Sequence, residues 1–145
     1  DAFLGQRKAD LAIRQCQQGV DAEPNAIAGW IRLGRLFLIT GKGERALKAF
    51  GRAETISPSH PHAAAGIAES KAMMGDLSGA EAAFSQALSF APGEPDLIIS
   101  LARVQDARGQ MQAAEKTLRE ACARRDRASS PEPYPCSYPY PCSYP

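Results

Sequence analysis

Apolar and small residues recur along this chain at helical spacing, and the whole pattern repeats every 34 residues. Trp30, Leu33, Gly34 and Phe37 fall at i, i+3, i+4 and i+7, which is one face of a helix. Gly41 follows, a residue that accepts the left-handed conformation at a helix end. A second helical stripe then places Ala46, Phe50 and Ala53 on one face, and Pro58 stops it for want of a backbone N–H. The same sequence of events returns as Ala64, Ile67 and Ala68, then Gly75, then Ala80, Phe84, Ala87 and Pro92. It returns again as Ile98, Leu101 and Ala102, then Gly109, then Ala114, Leu118 and Ala121, with Asp126 in the proline's place. Small residues at Gly34, Ala68 and Ala102 let helix backbones approach, and the large residues between them fill the gaps.

A period of this length predicts helix–turn–helix units stacked side by side, each burying its apolar face on the next. The expected organisation is three full copies over residues 27–60, 61–94 and 95–128, followed by a tail over 129–145. A partial copy over 1–26 precedes them. There Ala12, Cys16, Gly19 and Pro24 lie one period before Ala46, Phe50, Ala53 and Pro58. They read as the second helix of a repeat, with Phe3 and Leu4 as a stub of its first. On this reading the chain begins inside a repeat, and its last helix, about 110–125, has no polar capping helix after it.

The run Trp30-x-x-Leu33-Gly34-x-x-Phe37, with Ala46, Phe50, Ala53 and Pro58, resembles the tetratricopeptide repeat (TPR). Departures are Lys71 and Gln105 in place of the aromatic at Phe37, and Cys16 in place of Phe50. The resemblance implies an all-α, right-handed helical solenoid whose first helices line a concave groove for extended peptides. Carried over by position, the groove residues are Ile31, Arg32, Arg35, Leu38 and Ile39, then His62, Ala65, Glu69 and Met73, then Ile99, Arg103 and Asp106. Ala28, Gly66, Ala72, Asp96, Ser100 and Ala107 complete the set. Some members of the family clamp a C-terminal carboxylate with Lys and Asn. The corresponding positions here hold Ile31, Arg35, Gly66, Asp96 and Ser100, of which only Arg35 has suitable charge. A neutral, partly apolar segment is the better match.

Charge sharpens this. With 17 basic and 16 acidic residues the net charge is +1, which argues against a nucleic-acid partner. No apolar run approaches the ~20 residues a membrane span requires. The opening Asp1-Ala2-Phe3-Leu4 has neither the basic nor the apolar region of a signal peptide. The compartment stays open between cytoplasmic and, with a signal removed before Asp1, secreted or cell-surface.

The last residues are a different material. All four tyrosines lie in the last twelve positions and six of eleven prolines in the last fifteen. Pro133-Tyr134-Pro135-Cys136-Ser137-Tyr138 is repeated over 139–144. Such proline density favours polyproline II, whose three residues per turn align Tyr134 with Tyr140, and Tyr138 with Tyr144. At its rise the segment from Pro133 would span about 40 Å, comparable to a solenoid groove. Tyr134, Tyr138, Tyr140 and Tyr144 are therefore expected as a tail ligand for a groove, in the same chain or a neighbour, unless the tail is a foreign ligand fused to the chain.

Catalytic signals are missing. Gly41-Lys42-Gly43 lacks the spacing and the preceding strand of a phosphate loop. His60 and His62 flank Pro61 and fall short of a metal site, so no metal, cofactor or enzymatic activity is expected. Cys16 and Cys122 stand about three repeats apart and cannot pair within one chain. Cys16 reads as a small core residue, and Cys122 as a half-exposed thiol in the last helix. Three functions fit: a non-catalytic peptide-binding module, a structural subunit of a head-to-tail homopolymer or filament, and a TPR segment of a larger bacterial enzyme.

Overall fold

The structure is a computed structural model, and it describes residues 2–128. The tail, with its tyrosines and with Cys136 and Cys142, lies outside the described residues. Seven helices follow in order among the described residues: α1 (Ala2–Ala22), α2 (Ile27–Ile39), α3 (Gly43–Ile56), α4 (Pro61–Met73), α5 (Leu77–Phe90), α6 (Pro95–Ala107) and α7 (Met111–Ala128). The same residues contain no strand. Each helix packs on its sequence neighbours, and α2 also touches α4, so the molecule is a stack of helical hairpins. Helix α1 runs unbroken for 21 residues, which corrects the expectation that Phe3 and Leu4 form a separate stub. No Gly or Pro interrupts it in a turn-forming context, and Gly5 and Gly19 sit in open surroundings.

The hairpin turns are set by Gly41, Gly75 and Gly109, at φ of 74°, 89° and 77°. A side chain there would clash with its own backbone, so glycine is the low-cost choice. Each ends its helix in a Schellman motif. The N–H of Gly41 donates to the Leu38 carbonyl, and that of Lys42 to the Phe37 carbonyl at 2.8 Å. Asp76 to Lys71 and Gln110 to Gln105 repeat the longer bond at 2.9 and 2.8 Å. Entry into α5 is fixed by Asp76, whose Oδ1 accepts from the Gly79 N–H at 3.0 Å. Pro61 and Pro95 open α4 and α6, where a missing N–H costs nothing. Asp126 stands where Pro58 and Pro92 stand in the earlier repeats, and α7 continues to Ala128.

Two apolar clusters form the core. Ile13, Val20, Leu33, Phe37, Ala46, Ala49 and Phe50 make the first. Ala64, Ala68, Ala80, Phe84, Ala87, Leu97, Leu101 and Val104 belong to the second, and Ile67 packs against both. Phe50 is 1% exposed and lies against two glycines: a Cβ added at Gly34 would come within 2.7 Å of its ring, and one at Gly66 within 2.3 Å. Where the third repeat lacks the aromatic of Phe37, the fold substitutes hydrogen bonds. Buried Gln105 accepts from the Thr117 hydroxyl at 2.8 Å and donates to Glu81 at 3.4 Å, and Glu81 also pairs with Arg108. A buried amide satisfied on both sides costs little, and this one ties α5, α6 and α7 together. Cys122 is 2% exposed and is not a free thiol, contrary to the half-exposed thiol expected from the sequence.

Candidate functional site

Helices α2, α4 and α6 are the first helices of successive hairpins, and the period places equivalent residues side by side. Arg35, Glu69 and Arg103 are one such set, each 34 residues from the next. They form a row of alternating charge across the stack. Burial by the flanking helices pushes the Glu69 carboxyl above its usual range, and the Arg35 and Arg103 guanidinium groups act against that rise from either side. Among the described residues no ion pair within 4 Å joins Glu69 to either arginine, and its side chain opens to solvent.

Beside this row is a cavity of about 130 Å³. Arg35, His62, Ala65 and Glu69 line it, together with Gly66, Asp96 and Ser100 from the completed set. The floor reaches the Phe50 ring because Gly66 has no side chain to cover it. Phe50, Leu97 and Glu94 are lining residues that sequence reasoning left out. Phe50 and Leu97 occupy core positions in the periodic pattern. Glu94 stands in the connector before α6, beyond the helical positions to which a groove pattern applies. Three acids and one arginine among these residues make the cavity more polar than a neutral, partly apolar groove implies.

The other expected positions are dispersed. Ile31 and Leu38 are half-buried and pack against the first apolar cluster. Ile39 is 78% exposed, and Met73 lies over the start of α3, near Gly43. Ile99 is half-buried, while Arg32 and Asp106 are exposed. Tyr134, Tyr138, Tyr140 and Tyr144 lie outside the described residues.

At the edge of the cavity the rings of His60 and His62 stand 5.6 Å apart, tilted by 50°. His60 Nδ1 is buried without a hydrogen-bond partner. Burial first, and the nearby His62 second, hold His60 below the ordinary histidine range. Among the described residues no group of three or more His, Cys, Asp or Glu is arranged to hold a metal ion. No helix among them is long and apolar enough to cross a membrane.

Comparison with known proteins bears on the whole stack. Two family models, both described as tetratricopeptide repeat, match residues 1–61 and 71–128. No curated protein matches the sequence. Solved structures do resemble the fold. MamA from Desulfovibrio magneticus RS-1 is similar with a TM-score of 0.77 at 15% identity, over 89% of this chain and 73% of its own. TTC0263, a thermophilic TPR protein of Thermus thermophilus, gives 0.74 at 21% identity, over 83% and 67%. A further MamA crystal structure gives 0.72 at 19% identity, over 85% and 72%. At these identities the likeness extends to the fold alone.

Proposed function

Because the chain belongs to the tetratricopeptide repeat family, whose stacked hairpins serve as protein-interaction surfaces, we propose that its groove along α2, α4 and α6 binds an extended peptide segment without catalysis. The observation that carries this reading is the row Arg35, Glu69, Arg103 beside the cavity. An extended peptide presents carbonyl acceptors and N–H donors in alternation. Guanidinium groups donate and a carboxylate accepts, so the row matches a peptide backbone that carries no net charge. The cavity, floored by Phe50, is sized for part of a side chain. The proline- and tyrosine-rich segment over 133–145 has the requisite neutrality, and its prolines limit the entropy lost on binding.

The test is calorimetric. A synthetic peptide of sequence 133–145, with serine for both cysteines, is titrated into chain lacking 131–145. Saturable binding is expected. The pair Arg35→Glu and Arg103→Glu should weaken it about tenfold, or about 1.4 kcal/mol. Absence of heat, or an unchanged affinity in the double variant, would sink the reading. Light scattering on the same truncated chain reports whether the tail links neighbouring subunits.

A second reading, head-to-tail self-association, rests on α1. Leu4 and Leu11 stand two turns apart on one face of α1, each 59% exposed. A second copy covering this face would be released by Leu4→Glu with Leu11→Glu. Sedimentation should then show a concentration-independent monomer; identical sedimentation of parent and variant counts against it.

A further inference from the structure

The first hairpin carries a second cleft, distinct from the groove. Its volume is about 490 Å³. Leu33, Phe37 and Ala49 form a buried floor, and half-buried Trp30 forms one wall. Gln17 of α1 closes the far side. The rim on α3 is cationic: Arg45, Lys48 and Arg52 line it at i, i+3 and i+7. The Arg52 guanidinium lies over the Trp30 ring, 6.0 Å from its centre. The indole N–H is already committed to the Pro24 carbonyl at 2.8 Å, so the ring is fixed in place. Among the described residues neither Arg45, Lys48 nor Arg52 has a carboxylate partner.

The repeat supplies an internal control. Two periods later a cleft of about 400 Å³ opens in the same register, with Ser85, Ile98, Leu101, Thr117 and Glu120 in the places of Gln17, Trp30, Leu33, Ala49 and Arg52. There Lys116, the counterpart of Lys48, faces Glu120 at 4.0 Å, and Ala113 stands where Arg45 does. The middle repeat has Gly79, Ala82 and Gln86 at the three cationic positions and Ala64 at that of Trp30. Both hairpins fold without this cationic, aromatic arrangement, so stacking does not require it. A cleft opens in this register in the first and third hairpins, and only the first has the tryptophan and the three cations.

We propose that this cleft is a second docking site, for an acidic segment of a partner protein that inserts one aromatic side chain. Charge complementarity selects the partner: three cations with no acidic partner among the described residues line one rim of an apolar floor. An aromatic anchor seated in a desolvated pocket, with carboxylates meeting arginines at the rim, is the usual anatomy of an interface hot spot. A site on this face leaves the groove open, so two segments can be held at once.

Trp30 is the chain's single tryptophan, so its fluorescence reports occupancy directly. The full chain is titrated with the capped peptide Asp-Asp-Phe-Glu-Glu. A saturable change in emission is expected. Affinity should fall at least tenfold in Arg45→Glu with Lys48→Glu, with helical circular dichroism unchanged. It should also fall when serine replaces the peptide's phenylalanine, and as salt rises. The groove pair Arg35→Glu and Arg103→Glu should leave it intact, which separates this site from the groove. The proposal is overturned if the rim variant binds as the parent does, if the groove pair abolishes binding, or if single-stranded RNA occupies the cleft more tightly than the peptide.

Discussion

Gly66 and Phe50 show how much of this fold rests on single atoms. The ring fills space that a Cβ at Gly66 would enter, so Gly66→Ala should cost about 1–3 kcal/mol through overpacking. Gly51, inside α3 with nothing near its missing side chain, is the contrasting case. Gly51→Ala should raise stability by roughly 0.5–1 kcal/mol, because only helix propensity changes. Urea unfolding of the two variants should move in opposite directions. Neither sign is legible from the sequence, where both are glycines inside helical patterns. Glu69 gives a second residue-scale prediction. Its folded pKa is raised, so ionisation opposes folding, and any favourable contribution is lost as pH rises through the folded value. Glu69→Gln should therefore raise the melting temperature at neutral pH. The difference should shrink as pH falls below the ordinary carboxylate range, and thermal scans across that range check it.

Among the elements, the hairpin turns were the most legible feature. The period marked Gly41, Gly75 and Gly109 as helix ends, and all three adopt positive φ within Schellman motifs. Gly75→Ala should cost about 1–2 kcal/mol, with most of the loss avoided in Gly75→Asn, since asparagine tolerates the left-handed region. Chemical denaturation of both variants against the parent is the measurement. Helix α1 was less legible. Its N-terminal residues suggested a break because a neighbouring repeat would have one, yet Arg7 stands one period before the turn glycine Gly41 and the helix runs on. Gln105 was visible as a departure but not as a solution. Its partners Glu81 and Thr117 sit 24 and 12 residues away, on different helices, and only packing brings them to it.

Across the whole molecule the two apolar clusters meet at Ile67. In a stack where each hairpin contacts only its neighbours, stability is close to a sum of units and interfaces. Ile67→Ala should remove about 2 kcal/mol and loosen the coupling between halves. Trp30 fluorescence reports the first cluster, whereas circular dichroism reports all helices. The two unfolding curves should coincide in the parent and separate in the variant. The 34-residue period by itself determined the helical hairpins and their turns, and the residues it repeats pointed to the family. Period reveals these because each is repeated, and repetition is a property of the sequence. It also put Arg35, Glu69 and Arg103 in equivalent positions, without showing that they interact. Tertiary structure decided that they form one charged row, that Phe50 floors the cavity, and that Ile31 and Leu38 turn to the core. It alone showed that Arg45, Lys48 and Arg52 form one rim of an aromatic cleft. The physical reason is that burial, electrostatic coupling and clefts arise between helices, from distances that no spacing along a single chain specifies.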